Sequence, residues 1–293
     1  MGSQLLNDLF LRQRSEELQI PFENLLAASV LEEIVQRIAE SDYADSIWLK
    51  NSVRLNRENY RNKVEQNLSF FIHDSRKLTY KKSEVSKMFA ELFRNLKKDA
   101  VHWNYTVWVD RTLITVDMVA KIASVPVPVR ILFEQVRIAN LVPYSRDLKL
   151  FIHNSHSVRI LCYPSEYLLT EKIVERIEKL ELINDVSCYM EAFCLLKKEA
   201  LSGRTMCELL RESCRKHQIN IEENRIQMLL SYRNQGYMKK KWRAFLRREQ
   251  RKSPSWEEVM DVLEQFLTRL WEHLCRNLIY IGDWMPELGR FLD

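Results

Sequence analysis

Apolar residues recur at helical spacing over residues 5–19, and again as Leu25, Leu26, Val30, Leu31, Ile34, Val35 and Ile38 within 22–40. This predicts two helices broken at Ile20-Pro21. Residues 46–50 and 67–73 are short runs of strand character, and Asn51-Ser52 after the first predicts a turn from strand into helix. Residues 83–98 are amphipathic, with Val85, Met88, Phe89, Leu92, Phe93 and Leu96 on one stripe. From His102 to Tyr163 the apolar residues are β-branched or aromatic and partly alternate, which predicts strands over 105–109, 127–136, 148–152 and 158–163. Beyond Pro164 no strand-like run longer than a few residues remains. Helical stripes take over there, clearest in Trp256, Val259, Met260, Leu263, Phe266, Leu267, Leu270 and Leu274, with Ser253-Pro254-Ser255 as the start signal. The change of character predicts an α+β protein in which a mixed-sheet domain, 1–163, precedes a helical domain, 164–293.

Composition narrows the class. In 293 residues, five glycines and seven prolines leave little room for linkers, and no apolar run reaches the length of a membrane span. The N-terminus lacks the charged-then-apolar pattern of a secretory signal, so a cytoplasmic protein is expected. Six cysteines form no CxxC pair, which favours buried free thiols over a zinc site. No phosphate-binding P-loop, Gly-x-Ser-x-Gly elbow or dinucleotide fingerprint is present, so kinase, hydrolase and dehydrogenase chemistry have no support.

A net charge of +5, from 45 basic and 40 acidic residues, is too mild to name a partner, but its placement is uneven. Residues 239–252 carry eight bases, Lys239, Lys240, Lys241, Arg243, Arg247, Arg248, Arg251 and Lys252, against one acid. Trp242 and Phe245 interleave with them. On a helix Trp242, Phe245 and Leu246 would be buried and the bases would splay outward. Such a face suits phosphate contacts to RNA or DNA, an acidic protein partner, or solvent alone.

Three stretches in order carry a family resemblance. The first is Pro21-Phe22-Glu23-Asn24-Leu25-Leu26, followed by 31–38, by Ser41-Asp42-Tyr43-Ala44 and by the strand Trp48-Leu49-Lys50. The second is Tyr163-Pro164-Ser165-Glu166 with Thr170-Glu171-Lys172. The third is 241–246 with the helix 256–274. Together they resemble the AbiEii/AbiGii abortive-infection toxins, a nucleotidyltransferase-fold family. That resemblance implies a nucleotide site with Ser52 at the phosphate turn and Lys172 facing the phosphates. An ordinary turn serine and a solvated lysine are the plain alternatives.

Nucleotidyl transfer by this fold needs two carboxylates at i and i+2 on one strand, plus a third on a neighbouring strand, to hold two divalent cations. Here the pair reads Glu65-x-Asn67, and Asn67 offers only a neutral oxygen where magnesium favours charged ones. The third position falls in 129–134 on apolar residues, with Glu134 displaced. The expectation is therefore a pseudo-nucleotidyltransferase needing no cofactor: a non-catalytic subunit of a bacterial defence or toxin-antitoxin system that binds nucleic acid or a protein partner. The alternative is a toxin that uses magnesium and a nucleoside triphosphate to modify an RNA such as tRNA, or a protein. It would have to build its metal site from Glu65 with Glu134 or Asp117.

Overall fold

The computed structural model describes all residues except 1–7, 53–54, 63, 96–100, 123, 139–140, 153–156, 180–184, 281 and 293, so residues 5–7 and 96–98 of two predicted helices lie outside the described residues. The chain divides into two compact units, Met1–Tyr163 and Pro164–Asp293. The architecture is mixed α+β. Among the described residues no helix is long and apolar enough to cross a membrane.

The first unit opens with α1 (Asp8–Leu18) and α2 (Phe22–Ala39), which Pro21 separates. β1 (Ile47–Leu49), α3 (Arg57–Tyr60), β2 (Asn67–Ile72), α4 (Lys82–Leu92), β3 (Val101–Asp110), β4 (Leu113–Ile122), β5 (Val125–Gln135), β6 (Tyr144–Lys149) and β7 (Ser157–Cys162) follow. Seven strands form one sheet in the order β3-β4-β5-β2-β1-β7-β6. It is mixed because β2 runs parallel to β5 and β1 to β7. One face is apolar: Ile47, Leu49, Leu68, Phe70, Ile72, Ile131, Phe133, Ile160 and Cys162 pack with Leu25, Val30, Ile34, Val35 and Ile38 of α2 and Val85, Met88 and Phe89 of α4. Alternation along each strand sends the intervening residues to the opposite face.

Two polar anchors hold the helices to this core. Glu32, 1% exposed on α2, accepts from the backbone N–H groups of Phe151 (3.1 Å) and Ile152 (2.9 Å). Arg37 pairs with Glu33 at 2.7 Å, donates to the Leu92 carbonyl and lies over the rings of Phe93 and Trp103. Asn95 bonds both backbone groups of Trp103 on the edge strand β3, mimicking a neighbouring strand at that point.

Two elements depart from the expected pattern. The predicted strand 148–152 is displaced: β6 ends at Lys149, and the next residues leave the sheet because Glu32 captures their N–H groups. β4, which the pattern left unassigned, is a full central strand. After β1 the chain takes a tight helical turn at Ser52, whose carbonyl accepts from Leu55 N–H, and the next helix is the single turn α3, capped by Asn56, whose side chain accepts from Asn59 N–H.

The second unit contains α5 (Ser165–Lys179), α6 (Ser187–Lys198), α7 (Gly203–Lys216), α8 (Glu223–Ser231), α9 (Gly236–Arg248) and α10 (Trp256–Cys275). It also carries three short strands that the pattern did not reveal: β8 (Leu201–Ser202), β9 (Asp283–Met285) and β10 (Arg290–Leu292), in the order β10-β9-β8. The α10 stripe is buried along its whole length, from Trp256 to Leu274. Each large apolar side chain there contributes about 1.5–3 kcal/mol relative to exposure. Four indoles donate to backbone carbonyls: Trp242 to Pro254, Trp256 to Tyr232, Trp271 to Glu222 and Trp284 to Leu196. Buried area and a satisfied N–H thus fix the loops to the helices.

A capping box starts α10: the Ser255 hydroxyl accepts from Glu258 N–H and the Glu258 carboxylate accepts from Ser255 N–H. Because Ser255→Ala strands one of those donors, it is expected to lower stability by about 1 kcal/mol. Thermal melting of the variant checks this, and an unchanged midpoint would refute the cap's contribution.

Candidate functional site

The polar face of the sheet is where the nucleotide chemistry of such a fold would have to sit, and its register fixes what it presents. Asn67 of β2 lies level with Arg130 of β5, and Arg130 with Asp117 of β4. The next row is Ser69, Leu132 and Thr115; the one after it sets Phe71 beside Glu134. Lys50 follows β1, with its N–H bonded to the Ser69 carbonyl.

Both acids nearest the centre of this face are held by cations. Arg130 Nε lies 2.7 Å from Asp117, whose other oxygen accepts from the Trp108 indole at 2.8 Å. The Arg130 hydrogen bond, helped by Trp108, holds the Asp117 carboxyl below its ordinary pKa. Lys50 Nζ lies 2.8 Å from Glu134 and over the ring of Phe71, which stacks on Tyr163. Trp48 stacks on His73 at the margin of the same face.

The sequence candidates fall on this map as follows. Glu65 precedes β2 and lies exposed, 3.4 Å from the Asn67 amide. Asn67 is the first residue of the strand. Glu134 sits level with Phe71, six residues beyond Glu65, which is roughly 20 Å along the strand direction. Asp117 lies two strands from Asn67, about 10 Å away with Arg130 between them. The three acids are therefore not brought together. Among the described residues no group of three or more His, Cys, Asp and Glu side chains is placed to hold a metal ion. A magnesium pair needs clustered charged oxygens, and the donor set of this face does not fit it.

Ser52 is buried, and its hydroxyl accepts from Arg146 at 2.9 Å. Lys172 on α5 pairs with Glu191 of α6 at 2.8 Å. Burial works to lower the lysine pKa, but the Glu191 carboxylate outweighs it and the net direction is upward. Both side chains thus have protein partners. Of the residues that dominate the face, Lys50, Phe71, Arg130 and Tyr163, none was read from sequence as a site residue, although Lys50 and Tyr163 lie in the stretches that carry the family resemblance. The alternation in Trp48-Leu49-Lys50 and in 129–134 was the available signal.

The basic stretch forms α9 and the turn after it. Met238, Trp242, Phe245 and Leu246 are buried, while Lys240, Arg243, Arg247, Arg248 and Lys252 are exposed and Lys239, Lys241 and Arg251 half-buried. Lys239 pairs with Glu257 and Arg248 with Glu249. Lys240, Arg247 and Lys252 have no ion-pair partner among the described residues, and Arg243 donates to the Lys239 carbonyl.

Comparison with solved structures places the fold. JHP933 from Helicobacter pylori superposes with a TM-score of 0.55 at 9% identity, covering 88% of this chain and 96% of that one. A candidate nucleotidyltransferase, also from H. pylori, gives 0.50 at 8% identity over 89% of this chain and 100% of its own. The architecture is thus nucleotidyltransferase-like. No protein-family profile and no curated protein matches the sequence.

Proposed function

We propose that this protein is a nucleotidyltransferase-fold binding module that contacts nucleic acid through the outer face of α9 and does not carry out metal-dependent nucleotidyl transfer. One observation carries the binding half. Met238, Trp242, Phe245 and Leu246 pin α9 on one side, so Lys240, Arg243 and Arg247, which have no acidic partner among the described residues, are carried at helical spacing on the other. Cations carried at helical spacing on a packed helix suit a polyanion with regularly spaced phosphates, because the backbone that carries them needs no ordering on binding.

The ion pairs on the sheet support the other half. A cation level with Asn67 repels divalent metal, and recruiting Asp117 or Glu134 would mean breaking Arg130–Asp117 or Lys50–Glu134 first. In keeping with the AbiEii/AbiGii resemblance, we place the module in a bacterial defence or toxin-antitoxin system, acting in the cytoplasm as a non-catalytic subunit.

The test is incubation with labelled nucleoside triphosphates, magnesium and total RNA, tRNA included. No label should enter RNA or protein, whereas a labelled RNA should be retained in a salt-sensitive manner. Incorporation that Glu65→Gln or Glu134→Gln abolishes would overturn the non-catalytic reading and establish the magnesium-dependent transferase instead.

A further inference from the structure

The α9 face contains one uncharged feature that phosphate binding does not use. Tyr237, in the first turn, keeps 43% of its surface exposed although it is aromatic, and the Lys241 ammonium lies 5.6 Å from its ring centroid. On a helix of 3.6 residues per turn, Tyr237, Lys240, Ala244, Arg247 and Arg248 fall on one side, opposite the buried Met238, Trp242 and Leu246. Ala244 is exposed at the middle of that side. Its small side chain lies between Tyr237 at one end of that side and Arg247 and Arg248 at the other. From Tyr237 to Arg248 the helix rises about 16 Å, enough for a few nucleotides of an extended strand.

From this arrangement we propose that the α9 face takes single-stranded nucleic acid, with Tyr237 as the platform on which one base stacks. The inference rests on the nucleic-acid reading above and deepens it. A duplex hides its base faces in its own stack and offers an exposed ring only phosphates and sugar edges. A single strand can turn a base onto the tyrosine while its phosphates follow Lys240 and Arg247, with Arg243 on their flank. Stacking is tolerant of sequence because every base has a π face, so the site discriminates strandedness and not sequence. The Lys241 ammonium over the ring adds a cation–π contact on one face, and the base takes the other.

The experiment is fluorescence-anisotropy titration of the full chain with a labelled twelve-nucleotide RNA, the same sequence as DNA, and the corresponding duplexes, each at several salt concentrations. Single strands should bind more tightly than duplexes. Tyr237→Ala should weaken single-strand binding about tenfold and leave duplex binding unchanged, while Tyr237→Phe, which keeps the ring, should bind like the parent. The slope of log K against log salt should be the same in Tyr237→Ala as in the parent, because the ring carries no charge. A variant that had merely disordered α9 would flatten that slope, and Tyr237→Phe then still decides the matter through its ring.

Single-strand affinity indifferent to both substitutions, or a Tyr237→Phe loss as large as that of alanine, would overturn the stacking platform while leaving nucleic-acid binding intact. No salt-dependent binding of any oligonucleotide, or polyglutamate of matched length competing as well as RNA, would overturn the parent reading as well.

Discussion

Replacing Lys240, Arg243 and Arg247 together with alanine is expected to weaken oligonucleotide binding about a hundredfold near 0.1 M salt. Each phosphate contact to a single strand contributes roughly 0.7 to the slope of log K against log salt. Three contacts thus contribute about 2, and a tenfold dilution from 1 M salt converts that into about two decades of affinity. Because none of the three holds an acidic partner among the described residues, the substitutions break no ion pair seen there. Stability should stay within about 0.5 kcal/mol of the parent. Titrations between 0.05 and 0.3 M salt measure both quantities. An unchanged slope would remove α9 from the interface.

The second large effect concerns stability. Glu32 sits on a helix that covers the sheet, and its two carboxylate oxygens take the N–H groups of residues 151 and 152, more than a hundred residues away. The hydroxyl of buried Tyr60 shares this environment: burial first, and then the Glu32 charge, holds its pKa well above the ordinary phenol value. Glu32→Ala leaves both N–H groups without their acceptor, that of Ile152 in a buried position and that of Phe151 in a half-buried one. At about 1–3 kcal/mol per stranded group, the loss should be roughly 3–5 kcal/mol, or about 10 °C in Tm for a unit of this size. Glu32→Gln keeps one acceptor oxygen and should lose about half as much. Calorimetry on the two variants decides; a fall of only 1 °C or so in the alanine protein would show that the turn after β6 is held by packing alone.

Glu32 also marks a limit of pattern reading. Leu148, Leu150, Phe151 and Ile152 look like a strand because they are apolar and closely spaced, and nothing local says that the last three leave the sheet, where a glutamate far upstream takes two of their N–H groups. β4 escaped for a different reason. Thr115 and Val119 share its polar face with Asp117 and Lys121, which blurs the alternation, and the turn before it uses Arg111 at φ +55 in place of the glycine or asparagine that announces a hairpin. α10, by contrast, was legible from its start signal through its stripe, since capping and 3.6-residue periodicity are both local.

The site divides along the same line. Burial of Trp242, Phe245 and Leu246 beneath outward bases follows from helical spacing alone, and the structure has it so. The pairs Arg130–Asp117 and Lys50–Glu134 could not be anticipated, because they depend on which strands become neighbours and in what register. Asn67 could be read as a weak metal ligand from its side chain. That a guanidinium stands level with it required the parallel pairing of β2 and β5.

The small sheet of the helical unit ties residues 201–202 to 283–285 and 290–292. Gly203 and Gly282 lie so close to neighbouring backbone oxygens that neither position admits a Cβ. Trp284, fully buried, plugs the space among Leu196, Phe266 and Phe291. Trp284 follows all of α5–α10 in sequence, so the packing of that unit is completed by the segment after α10 and not by the helices alone.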